Sequence, residues 1–205
     1  MLTDNLRFAP GDLFDEQDVQ QTYSNFGRLS ALKYTNIRFL ENQVGDTAKL
    51  DCYVMLTKSK HKSVAFELEG TNSAGDLGAA ASVSFQNRNL FRGSETFMIK
   101  FRGAYEVISG LQAGYSNNNY TEYGETSINF PNFLFPFLSS DYKRKIRATT
   151  EFGLQYNYQM RPEFLRTMAS ASWSYKWTQR QKIQHRIDLI NIGFLYLPRI
   201  SERFK

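Results

Sequence analysis

Apolar and polar residues alternate along most of this chain, in separate runs joined by turn residues. From Ser63 to Gly70, Val64, Phe66 and Leu68 share one face, and Ala65, Glu67 and Glu69 share the other. Over 77–88, Leu77, Ala79, Ala81, Val83 and Phe85 oppose Gly78, Ala80, Ser82, Ser84, Gln86 and Arg88. Over 96–105, Phe97, Ile99 and Phe101 oppose Thr96, Met98, Lys100 and Arg102. A period of two predicts strands with one greasy and one wet face. The links 71–76 and 89–94 have the composition that joins antiparallel neighbours, so the three runs form a meander.

Four more segments follow. Residues 122–130 place Gly124, Thr126, Ile128 and Phe130 together. Residues 145–158 place Ile146, Ala148, Phe152, Leu154, Tyr156 and Tyr158 against Lys145, Arg147, Glu151, Gln155 and Asn157. Residues 165–177 place Leu165, Ala169, Ala171, Trp173, Tyr175 and Trp177 against Arg166, Ser170, Ser172, Ser174 and Lys176. The last, 185–197, starts in register but loses its alternation at 190–196. Residues 107–120, rich in Gly, Ser and Asn, predict a loop. Pro131 and Pro136 lack N–H donors, so the aromatic stretch 131–138 predicts a link and not a central strand.

The first 58 residues follow another pattern. After the turn at Pro10, Gly11 and Asp12, Asp15 is a good N-cap, with Phe14 and Val19 spaced for a hydrophobic staple. Val19, Tyr23, Phe26 and Leu29 predict a helix over 16–29. Strands follow at 33–40, where Ile37 and Phe39 share a face, and at 49–57, where Leu50, Cys52, Val54 and Leu56 do. This is a small α+β unit, and a polar hinge at 58–62 separates it from the strands beyond.

Composition narrows the classes. The 205 residues carry 22% charged and 41% hydrophobic side chains, as folded domains do. The formal charge of +5 is spread along strands opposite acidic residues, and without a basic cluster nucleic acid is not an expected partner. One cysteine, Cys52, forms no intrachain disulfide and reads as a small buried hydrophobe. One Cys and two His leave almost no nitrogen or sulfur ligands for zinc. No apolar run reaches the length of a membrane-spanning helix, and mean hydropathy is −0.48, a value that alternating barrel strands also give.

The runs of about nine to thirteen residues suit tilted strands that cross a bilayer, where about five or six suffice in soluble sandwiches. Tyr105, Tyr123, Tyr156, Tyr158, Tyr175 and Trp177 gather near segment ends, as interfacial girdles do. A soluble sandwich or lipocalin-type barrel would bury the same face, because alternation does not name the solvent.

Phe66-Glu67-Leu68-Glu69-Gly70-Thr71-Asn72, then the next strand, then Arg88-Asn89-Leu90-Phe91-Arg92-Gly93-Ser94, resembles the start of the barrel in the BamA/TamA outer-membrane assembly family. The Asn-Leu-Phe-x-Gly turn is its most specific piece. Pro10-Gly11-Asp12-Leu13-Phe14, a helix carrying Thr22, Tyr34-x-x-Ile37-x-Phe39 and Leu50-x-Cys52-x-Val54 resemble the end of a POTRA domain. The likeness covers nearly the whole chain and is nearest to the TamA-like Bacteroidetes type. It implies a mainly β fold: a partial POTRA (α+β) domain over 1–58, in the periplasm, and the N-terminal half of an antiparallel transmembrane β-barrel over 59–205. The greasy face would meet outer-membrane lipid, and the periplasmic turn Asn89, Leu90, Phe91 and Gly93 would point inward. Lys100, Arg102, Arg147 and Glu151 would be lumen charges. The opening POTRA strand and helix are missing, and seven strands stand where the family has roughly sixteen. A fragment is therefore expected. Phe101-Arg102-Gly103-Ala104-Tyr105 superficially resembles the family's lumen-reaching Arg-Gly motif, but it lies in the third strand and takes no such role.

No catalytic, metal or cofactor constellation is present. His61 lies in the hinge and His185 at a strand start, neither beside a nucleophile. Glu67 and Glu69 read as a solvated strand face and not as an acid/base pair. The resemblance implies a non-enzymatic role: assembly of β-barrel proteins into the bacterial outer membrane, or translocation across it. Ser63, Val64, Ala65, Phe66, Glu67, Leu68, Glu69 and Gly70 would form a lateral seam that templates unfolded outer-membrane protein clients by β-augmentation. The strand at 49–57, or its neighbour, would offer clients a second edge, alongside periplasmic or inner-membrane accessory proteins. The alternatives are a passive outer-membrane pore or transporter, and a soluble periplasmic β-rich binding protein.

Overall fold

Asp15 is extended, with φ −130°, and its carboxylate accepts the Gln17 N–H at 2.7 Å, so helix α1 (Glu16–Gly27) starts where the capping residue puts it. The computed structural model of the chain describes residues 2–44, 47–73, 76–107, 118–135, 137, 148–179 and 183–200. Among the described residues it is mainly β, 69% strand with one α-helix, and its strand pairs are antiparallel. Two compact units are present, 1–61 with 88–95, and 62–87 with 96–205.

In the first unit α1 stops two residues short of the sequence expectation. The N–H groups of Arg28 and Leu29 turn to the carbonyls three residues back, at 3.3 and 3.0 Å, tightening the last turn. The helix buries Thr22, Asn25 and Phe26, and its companions in the core are Leu29, Ala31 and Ile37. Thr22 Oγ accepts the Arg7 N–H at 3.1 Å and donates to the Asp18 carbonyl at 2.8 Å, while Asn25 donates to the Asn5 carbonyl at 2.9 Å. Those bonds tie the N-terminal segment to the helix. Strand β1 (Leu32–Val44) lies under α1 and pairs with β2 (Thr47–Lys58), matching Ile37 with Val54 and Phe39 with Cys52. Phe14 packs edge-on against Phe39, with ring centres 5.1 Å apart.

Cys52 is exposed, not buried as its strand pattern suggested. The pattern placed it on the correct face, but α1 covers β1, and the same face of β2 is left open at Leu50 and Cys52.

The second unit is one seven-stranded meander, β3 (Lys62–Ser73), β4 (Asp76–Asn87), β5 (Thr96–Val107), β6 (Asn118–Phe130), β7 (Thr149–Met160), β8 (Phe164–Gln179) and β9 (Ile183–Ile200), each paired with its chain neighbours. Of the predicted loop at 107–120, Val107 and residues 118–120 are strand, and 108–117 lie outside the described residues. Val107 pairs with Asn118, so β5 and β6 continue through its polar ends, where cross-strand pairing outweighs weak strand propensity. β7 begins at Thr149, later than the predicted 145, and residues 145–147 lie outside the described set. β6 ends at Phe130, before Pro131.

β9 explains its own broken pattern. Ser174 pairs with Asp188 and Trp173 with Ile190, so one extra residue is absorbed at Leu189. The bulge returns Ile190, Ile192, Phe194 and Tyr196 to the face of Trp173, Ala171, Ala169 and Thr167.

Candidate functional site

Cross-strand register fixes what shares a face in the second unit. One row runs Phe66, Val83, Phe101, Gly124, Tyr156, Ala169, Phe194, and the next Val64, Phe85, Ile99, Thr126, Leu154, Ala171, Ile192. The opposite face carries Glu67, Ser82, Arg102, Tyr123, Asn157 and Met168 in one row. Accessibility is inverted relative to a water-soluble core. On the apolar face Phe66 is 67% exposed, Leu68 74% and Leu154 60%, whereas on the polar face Ala80 and Ser82 are only 4% and 5% exposed. Phe85 meets Phe97 at 6.5 Å and Phe152 meets Trp173 at 5.2 Å. These are side-by-side contacts along one face, and all four rings keep part of their surface accessible.

Ala80 and Ser82 on the polar face are buried because longer charged side chains close over them. Lys100 reaches Glu67 at 3.2 Å and Arg102 reaches Glu69 at 2.8 Å. In each case the partners stand on β5 and β3, with β4 between them, a span of about 9.5 Å at normal strand spacing. Only long side chains bridge that span, and only small ones fit beneath: Ala80, Ser82 and Ser84 lie opposite these charges on β4. Ser82 also donates to Glu67 at 2.9 Å. On the same face of β4, a Cβ at Gly78 would stand 2.5 Å from the Tyr105 carbonyl oxygen and 2.7 Å from Thr71 Oγ, so that position has no room for a side chain. Glu67 and Glu69 thus each hold a cation, which leaves no free carboxylate pair.

Glu151 lies on the same face and pairs with Lys176, and Arg186 pairs with Asp188 at 2.7 Å. Arg147 lies outside the described residues. Tyr123, placed in the aromatic girdle by its position near a segment end, faces the polar side and donates to Glu125 at 2.9 Å.

Strand β3, which contains all of 63–70, is a terminal strand of the sheet, with pairing to β4 along one edge. Val64, Phe66 and Leu68 are exposed. In the two-stranded sheet the edges differ. Tyr23 plugs β1 at Ile37: its hydroxyl accepts the Ile37 N–H at 2.8 Å and donates to the Ile37 carbonyl at 3.4 Å. A new strand arriving along β1 would find those groups occupied, and no such plug is seen on β2 among the described residues.

The turn at Asn89, Leu90, Phe91 and Gly93 belongs to the first unit. Ser30 Oγ lies 2.9 Å from the Arg88 carbonyl and 2.7 Å from the Ser94 carbonyl, and Ser94 Oγ accepts the Ala31 N–H at 2.8 Å. Inside the turn, Asn89 Oδ1 accepts the Ser94 N–H at 3.0 Å. Buried Glu95 accepts the N–H groups of Phe91 and Gly93 at 3.1 and 2.9 Å. Arg92 and Ser94 have positive φ, 66° and 67°, so those carboxylate contacts offset backbone strain. Sequence reading found the turn, Ser94 included, but missed Ser30 and Glu95, which hold it; an acidic residue two positions after the glycine was the one available signal.

His185 stacks on Trp177 with ring centres 4.9 Å apart. Among the described residues, no group of three or more His, Cys, Asp or Glu side chains is placed to hold a metal ion. No helix among them is long and apolar enough to cross a membrane, which says nothing of crossing by strands. No protein-family model and no curated protein matches the chain.

Proposed function

We propose that this chain is the partial POTRA unit and first barrel half of an outer-membrane assembly protein of the BamA/TamA type. It inserts β-barrel proteins into the bacterial outer membrane or passes proteins across it. The single observation that carries the reading is the inverted accessibility of the seven-stranded sheet. Large apolar side chains stand open on one face, and on the other paired charges neutralise one another above buried small residues, as suits a lipid-facing wall with a wet interior. Strands of 12 to 18 residues exceed the bilayer requirement of about 9–11.

In this reading the open edge of β3 is the lateral seam. Client strands add to it through main-chain hydrogen bonds, and alternate side chains enter lipid. The periplasmic edge for clients is β2 and not β1, because Tyr23 occupies β1 at Ile37. The same geometry supports a passive pore, since paired charges line the polar face. A pore, however, leaves the edges of β2 and β3 without a task.

A photo-crosslinking amino acid at Ala65 or Glu67, in cells synthesising outer-membrane proteins, tests the seam. Adducts with nascent barrel clients from β3, and none from matching positions on β6, are expected. Equal yields from both strands, or no client from β3, refute it.

A further inference from the structure

We propose that residues 131–135, together with Phe137, form an anchor that rests in the boundary layer between headgroups and acyl chains, docked on the lipid-facing side of the sheet. The inference rests on the membrane reading above and adds to it a defined lipid contact at one rim of the sheet.

After β6 the chain folds back over the apolar face of β7 and β8. Thr150 and Tyr175 stand on that face, and both are buried there, unlike the open residues higher on the same strands. Their hydroxyls meet the backbone of the returning segment. Thr150 Oγ donates to the Asn132 carbonyl and accepts the Leu134 N–H, both at 2.9 Å, and Tyr175 donates to the Leu134 carbonyl at 2.9 Å. The rings of Phe133 and Tyr175 meet edge-on at 4.6 Å, and Phe135 lies 5.9 Å from Phe133.

These contacts solve a problem that water would not pose. Irregular backbone facing lipid carries N–H and C=O groups without partners, which hydrocarbon, unlike water, cannot satisfy. Here two sheet hydroxyls, themselves costly if left bare on an oily face, take up polar groups of the segment. Pro131 and Pro136 have no N–H to satisfy. What remains outward is aromatic: Phe137 is 87% exposed, and Phe135 packs against it at 5.8 Å. A water-facing loop gains nothing from this composition, whereas an interfacial segment buries its rings at the acyl boundary. The rim is already aromatic, because Phe130, Phe152, Trp173 and Tyr175 form a chain of ring contacts at 6.0, 5.2 and 5.9 Å.

The test uses the full chain with Cys52→Ser, reconstituted in phosphatidylethanolamine/phosphatidylglycerol vesicles. A fluorophore sensitive to nitroxide quenching is attached through Phe137→Cys or, separately, through Phe66→Cys at mid-face. Vesicles carry a nitroxide either next to the headgroup or near the chain terminus. At 137 the shallow nitroxide should quench about twofold more than the deep one, as insertion by roughly 5–10 Å demands, with the order reversed at 66. Quenching at 66 with none at 137, or deeper quenching at 137 than at 66, overturns the anchor and leaves the membrane reading standing. Quenching at neither position overturns both.

Discussion

Glu95 accepts the Gly93 N–H at 2.9 Å, and a Cβ placed on Gly93 would run into the same carboxylate. Gly93 is therefore a glycine for space and not for backbone freedom, since the positive φ angles belong to its neighbours Arg92 and Ser94. Gly93→Ala should expel the carboxylate and destabilise the first unit by about 2 kcal/mol, the worth of hydrogen bonds to a charged acceptor. Glu95→Ala should cost a similar amount, and Glu95→Gln less, because an amide oxygen still accepts both N–H groups. Hydrogen exchange at the Phe91 and Gly93 amides reads this directly. Unchanged protection in Glu95→Ala would show that the carboxylate does not hold the turn.

Leu154 tests whether lipid or water wets the apolar face of the sheet. It is 60% exposed on β7 and lies between Thr126 and Ala171. Leu154→Arg should cost about 2–4 kcal/mol if acyl chains surround it, and the inserted fraction in vesicles should fall. An exposed residue in water would register within about 0.5 kcal/mol. An unaffected inserted fraction would place that face outside the bilayer.

Arg102 and Glu69 test whether the charges hold the sheet together. Both side chains are partly exposed, 29% and 44%, so their coupling in a double-mutant cycle with Arg102→Met and Glu69→Gln should be below about 1 kcal/mol. Chemical unfolding of the four proteins measures it. A coupling several times larger would mean that water is excluded from the polar face.

Tyr23→Phe removes the hydroxyl that occupies both Ile37 backbone groups. About 1 kcal/mol should be lost from the first unit, and the β1 edge should become available for pairing. Crosslinks from β1 to clients should then appear beside those from β2. If wild-type β1 already captures clients as well as β2 does, the plug is irrelevant.

Cys52 should react fully with a thiol reagent in the folded protein, because it is exposed. It should also react more slowly at neutral pH than an unstructured cysteine. Partial burial pushes its thiol pKa up, and the thiolate is the nucleophile, so its rate should climb only at higher pH. A rate equal to that of a free peptide thiol would contradict this.

Much of the architecture was legible along the chain. Period-two alternation is a local consequence of strand geometry, so the facing of Phe66, Val83, Phe101 and Phe152 needed no knowledge of neighbours. Asp15 announced its helix because a cap acts within a few residues. Tertiary structure decided what depends on distance in sequence. Arg102 and Glu69 are 33 positions apart and meet only because β4 between them is narrow in its side chains. Tyr175 and Leu134 are 41 apart, Ser30 and Ser94 64 apart, and no local pattern encodes either meeting. The bulge at Leu189 shows the same division: the sequence registers a lost alternation, and pairing with β8 alone decides where the extra residue goes. Local rules write the two faces of each strand, and the register between strands decides which groups those faces bring together.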